Sequence, residues 1–163
     1  MMNQQYLQAV EHAFLVVLDS MGGIKATAGS SHEKQDSSVL VDDSITAVIS
    51  LSSDEVHFSV ALIFPKRVIV AIARRMLQGM DVDENSPMIA DLAGEVANMV
   101  VGGAKNSLDE SGNELSLSLP VVVAGHDYHI EHKTDSQVWL VPFESELGQI
   151  YVEASYCFEG DLS

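Results

Sequence analysis

The chain has 163 residues, 47% of them hydrophobic, the size of one domain with a continuous core, and residues 1–163 are expected to form that single domain. Eight Lys plus Arg against 24 Asp plus Glu leave a formal net charge of −16, which repels phosphate backbones and anionic lipid, so neither nucleic acid nor a membrane surface is expected as a partner. No stretch approaches the roughly 20 apolar residues needed to cross a bilayer. The short apolar run from Ala13 to Leu18 follows Glu11 and His12 rather than a basic segment, and so reads as helix, not signal peptide. The single cysteine, Cys157, has no partner for an internal disulfide. These features together fit the cytoplasm.

In chain order, residues 3–21 place Tyr6, Val10, Ala13, Phe14, Val17 and Leu18 near one helical face, with Gly22 and Gly23 as a C-terminal stop. A short strand over 24–28 and a polar loop over 29–38 follow. The β-branched runs 45–51 and 56–64, joined by Ser52, Ser53, Asp54 and Glu55, predict a hairpin. Pro65 is expected as the first residue of a second helix that ends at Gln78 before Gly79. Ser86 and Pro87 then form an N-cap and first helical residue for a long third helix reaching about Leu108. Residues 115–124, 128–132, 138–143 and 149–158 carry strand patterns, separated by turns at Gly125, 134–136 and 146–148. The sum is an α+β domain, an antiparallel β-sheet packed with three helices.

The third helix carries the chemistry. At ~100° per residue, Asp91, Glu95, Asn98, Gly102 and Lys105 fall within a strip roughly 80° wide. Ile89, Leu92, Ala93, Val96, Ala97, Met99, Val100, Val101, Ala104 and Leu108 occupy the rest. So apolar a circumference predicts a largely buried helix with one exposed ridge. A bland account exists: a partly buried helix needs some polar residues toward water, and Asp91 complements the helix dipole. Against it, a carboxylate beside a carboxamide offers an anion for a cation and a fixed amide for water, and small Gly102 and Gly103 allow another surface to approach.

Asp91, Glu95 and Asn98, in Asp-Leu-Ala-Gly-Glu-Val-Ala-Asn, resemble the (Ser/Asp)-x-x-x-Glu-x-x-Asn helix motif of the CheC, CheX and FliY chemotaxis phosphatases. The hairpin before Phe64-Pro65, the helix ending Met76-Leu77-Gln78-Gly79, the run Leu117-Ser118-Leu119-Pro120-Val121-Val122, and the closing Val141-Pro142-Phe143 through Gly148 are similar to that family's succession across nearly the whole chain. The resemblance implies a CheX-like (CheC-like) fold and a phosphatase that hydrolyses the phosphoaspartate of a CheY-like response regulator in chemotaxis or two-component signalling. It implies that Asn98 orients the attacking water, Glu95 pairs with the receiver's active-site lysine, and Asp91, Gly102 and Lys105 serve docking. No cofactor of the chain's own is then expected, since the receiver supplies its phosphoaspartate and bound magnesium. Helix two lacks a Glu-x-x-Asn pair, so one site per chain is implied, the pattern of the CheX type, whose chains pair as homodimers.

Other constellations point less well. His126, His129 and His132, with Asp127 and Glu131, include metal-ligand types, but strand alternation sends His129 to the opposite face, so no metal site is expected. Cys157 sits in an alternating segment and reads as a packed thiol. His12 and His57 read as surface or partly packed. No Ser, His and Asp grouping carries a nucleophile motif, and no phosphate-cradling Gly-rich loop is present. Two alternatives to a phosphatase stand: a non-catalytic module binding a response regulator or the flagellar switch through the same ridge, and a ligand-sensing or scaffold domain indifferent to it.

Overall fold

Asn3 starts the first helix by local chemistry: its side-chain oxygen accepts a hydrogen bond from the Gln5 amide at 2.9 Å, capping α1 (Gln4–Gly22). At the other end Gly23 adopts φ 62°, and the amides of Gly23 and Ile24 donate to the carbonyls of Asp19 and Leu18. That left-handed turn is what glycine permits cheaply. The structure, a computed structural model, describes residues 3–34, 43–78, 80–112, 114–125 and 137–158. Among them lie α2 (Lys66–Met76), α3 (Pro87–Glu110) and the strands β1 (Ala26–Ala28), β2 (His32–Glu33), β3 (Ser44–Ser52), β4 (Val56–Pro65), β5 (Ser116–Leu117), β6 (Val121–Gly125), β7 (Val138–Ser145) and β8 (Gly148–Phe158).

The strands form one antiparallel sheet in the order β1-β7-β8-β4-β3-β5, with β2 also paired to β7 and β6 also paired to β3. Two hairpins, β3–β4 and β7–β8, meet at the centre through β4 and β8. Alternation along β4 sends Val56, Phe58, Val60, Leu62 and Phe64 into the core shared with the helices. There Phe14 of α1 packs against Phe64 and Phe143, and Tyr6 against Phe58 and Tyr156. Each such fully buried aromatic contributes about 2–3 kcal/mol by its area alone. On β8, Glu153 is buried and pairs with Lys34 at 3.0 Å, fastening the segment after β2 to the sheet.

Three expectations need correction. Pro65 is not the first residue of α2 but the last of β4 and the helix's cap, with ψ 137°; its fixed φ of −53° suits an extended residue equally well. The polar loop contains β2, whose pairing with Leu140 and Trp139 is a long-range fact that His32 and Glu33 do not announce. The strand expected over 115–124 is broken into β5 and β6, because Pro120 has no N–H for a ladder and Ser118 turns its amide and hydroxyl toward Ser50. Gly125 is the last residue of β6, and the chain that follows it lies outside the described residues. The strand over 128–132, the turn at 134–136, the three-histidine group and Gly79 fall outside the described residues. Cys157 is buried, with its Sγ 3.7 Å from the His57 carbonyl oxygen. His12 is exposed and His57 half-buried. Among the described residues no helix is long and apolar enough to cross a membrane, and no group of three His, Cys, Asp or Glu could hold a metal ion.

Candidate active site

α3 begins where Ser86 accepts from the Met88 amide at 3.2 Å and Pro87 supplies the first helical residue. Its buried face is Ile89, Ala93, Gly94, Val96, Ala97, Val100, Val101, Ala104 and Leu108, set against α1 and β3. The opposite strip emerges as expected. Asp91, Glu95 and Asn98 are all exposed, and within the described structure none of their side chains makes a hydrogen bond or ion pair. Glu95 and Asn98, three residues apart, lie one turn from each other on the same face. Both heads are therefore free for a partner. Met88 and Met99 widen the exposed surface with apolar area, at 43% and 38% exposure.

The two C-terminal members of the strip are placed differently. Lys105 is half-buried and pairs with Asp109 one turn on, so the sole cation of α3 is already engaged. Asp109 also accepts from the Leu115 amide at 3.2 Å. Gly102 is half-buried, its missing Cβ directed at Leu117, where a methyl would lie 3.8 Å away. A methyl added at Gly103 would lie 3.5 Å from Ala13 of α1. The close approach that these glycines allow is thus made by the chain's own β5 and α1. With Lys105 neutralised, the exposed charges of the strip are the carboxylates of Asp91 and Glu95, an arrangement that receives a cation.

A stretch beside the helix was not singled out as part of the site. Gly94 lies against β6 and its lead-in, so closely that an added Cβ would meet Val122 Cγ2 at 3.3 Å and Pro120 Cγ at 3.8 Å. Residues 117–122 thus run alongside α3 from Gly102 to Gly94. The signal available in sequence was Pro120 interrupting an apolar run. Three surface cavities, of about 430, 520 and 420 Å³, are lined by residues other than Asp91, Glu95 and Asn98. The pair instead stands exposed on the face of α3, a placement that suits contact with a macromolecule's surface more than enclosure of a small molecule.

This architecture, three helices on an open antiparallel sheet, is that of CheC-like proteins. It superposes on a CheC-like superfamily protein from Shewanella sp. PV-4 with a TM-score of 0.85 and 31% identity, covering 96% of this chain and 99% of that one. A chemotaxis protein CheX from Vibrio vulnificus gives 0.83 and 25%, covering 93% and 99%. The CheX of a CheX–CheY–BeF3–Mg complex from Borrelia burgdorferi, 17% identical with a TM-score of 0.73 and coverage of 93% and 97%, shares the fold. No curated protein sequence matches the chain. The family model of the chemotaxis phosphatase CheX matches residues 45–144, a span that covers β3 from its second residue, the whole of β4, α2, α3, β5 and β6, and β7 as far as Glu144. The chain belongs to the CheX family of chemotaxis phosphatases.

Proposed function

We propose that this protein accelerates hydrolysis of the phosphoaspartate of a CheY-like response regulator. The observation that carries the reading is the pair Glu95 and Asn98, adjacent, exposed and unengaged within the described structure on a rigid helix whose other faces are packed. Asn98 enters the receiver's active site, where its carboxamide holds a water in line with the phosphorus. Glu95 pairs with the receiver's active-site lysine. An amide has no useful pKa for general-base work, so Asn98 acts by orientation. That suffices, because phosphoryl transfer needs placement and charge stabilisation more than covalent help. Magnesium belongs to the receiver, and the chain brings no cofactor. Asp91 supports docking, and Gly102 and Lys105 shape the C-terminal end of the contact. The Borrelia burgdorferi CheX bound to CheY with BeF3 and Mg supports this choice of partner. The setting is the cytoplasm and the assembly a homodimer, for which β6, an edge strand paired only with β3 among the described residues, offers an open side.

The test is the decay of purified phosphorylated receivers with the wild-type chain, Asn98→Ala and Glu95→Ala. Acceleration by wild type that falls about a hundredfold in Asn98→Ala, with receiver binding retained, is the expected outcome. A receiver that binds wild type yet decays at its intrinsic rate makes the chain a docking module instead.

A further inference from the structure

Between β5 and β6 the sheet carries one extra residue. Leu117 pairs with Leu51 and Val121 with Val48, so the chain advances 121 − 117 = 4 residues while β3 advances 51 − 48 = 3. This is a β-bulge, and bulges re-aim a side chain that regular alternation would send elsewhere. Here the re-aimed residue is Leu119, which is 87% exposed. It is not on a loose loop. The Ser118 amide donates to the Ser50 carbonyl at 2.9 Å, the Ser50 amide donates to Ser118 Oγ at 2.9 Å, and Pro120 fixes the following φ.

The bulge sits beside the proposed site. Gly94, Asn98 and Gly102 follow one another at four-residue spacing and share a strip of α3. A Cβ on Gly94 would meet Val122 and Pro120 and one on Gly102 would meet Leu117, which sets residues 118 and 119 alongside the turn that carries Asn98. The eight residues from Gly94 to Gly102 rise ~12 Å, about the reach of the extended stretch from Leu117 to Pro120.

We propose that Leu119 is a docking and specificity residue for the phosphorylated receiver: a fixed apolar anchor that packs on the receiver's surface next to the phosphoaspartate. This rests on the phosphatase reading. A receiver whose phosphoaspartate reaches Asn98 must cover the flanking bulge, so Leu119 is buried in every productive complex. The contact is apolar, which matters in a chain of net charge −16 facing a receiver whose phosphorylated site is itself acidic. Leu119 then selects receivers that present an apolar patch there.

The experiment uses the full chain and purified receivers of the same cell, either phosphorylated or in the beryllofluoride-bound form. Leu119→Asp is expected to weaken binding of the beryllofluoride form and raise KM by about tenfold or more, the effect of losing a buried apolar anchor, with kcat unchanged. Leu119→Met should restore both. Asn98→Ala should do the reverse, losing kcat while keeping affinity. Equal affinity of wild type and Leu119→Asp overturns the inference, whether or not the receiver is dephosphorylated. Binding that depends on Leu119 without turnover leaves the anchor standing and sinks the phosphatase reading. Failure to bind any receiver overturns both. Self-association lost in Leu119→Asp with receiver affinity intact overturns the inference in favour of a contact between two copies.

Discussion

Asp109 accepts from Lys105 and from the Leu115 amide, and its carboxyl is held below the ordinary value of 3.8, chiefly by the Lys105 hydrogen bond. A carboxylate with a depressed folded pKa contributes stability above its unfolded pKa, and loses that contribution as pH falls through the folded value. Asp109→Asn should therefore lower the unfolding temperature at pH 7 and match the wild type in strong acid, where both side chains are neutral. Thermal unfolding followed by circular dichroism at the two pH values checks this; an equal loss at both would mean packing, not charge. Glu11 runs the other way, its pKa raised by burial, so its ionisation weighs against folding at neutral pH. At this scale the sequence was partly readable. The 3.6-residue period placed Asp91, Glu95 and Asn98 on an exposed strip, as found. Lys105 falls on the same strip, and its four-residue spacing from Asp109 also marks the internal ion pair that it forms.

Elements with local signals were legible, and those made by distant pairing were not. The caps at Asn3, Gly23 and Ser86 act on backbone groups two to five residues away, so their chemistry is written beside the helices they bound. β2 exists because β7 lies alongside, and the bulge exists because β3 is one residue shorter than its partner between two pairings. Neither follows from the residues in place. The packing of α3 on β6 is equally non-local, and Gly94 makes it testable. Gly94→Ala gains about 1 kcal/mol of helix propensity, which offsets the tight contact with Val122. Gly94→Val adds two further carbons where no room exists, and should destabilise by about 1–3 kcal/mol in urea unfolding. Because the same contact sets the bulge against the helix, that variant should lose phosphatase rate beyond its loss of folded protein.

Across the whole molecule the order helix, two short strands, hairpin occurs twice, as α1-β1-β2-β3-β4 and α3-β5-β6-β7-β8, with α2 between. The leading helices agree in residue as well as place. Ala9, Glu11, Ala13, Val16 and Val17 align with Ala93, Glu95, Ala97, Val100 and Val101. This internal likeness was missed in the sequence because the shared positions are mostly small or branched apolar residues, scattered and common. It bears on the proposal of one site per chain more directly than helix two does. Phe14 stands where α3 has Asn98, and it is fully buried against Phe64 and Phe143, so α1 has surrendered that position to the core.

The two halves do not stand side by side as separate units. β1 and β2 of the first edge the hairpin of the second through β7, and β5 and β6 of the second edge the hairpin of the first through β3. Each half completes the other, like clasped hands. A chain severed between residues 79 and 80 should accordingly yield two pieces that are unstructured when separate and reassemble when mixed, regaining the circular dichroism and unfolding transition of the intact protein. A piece that folded unaided would show the clasp to be ornamental. If it is not, this small domain is a ready-made split reporter, α3 arriving on one fragment and most of the wall that helix leans on arriving with the other.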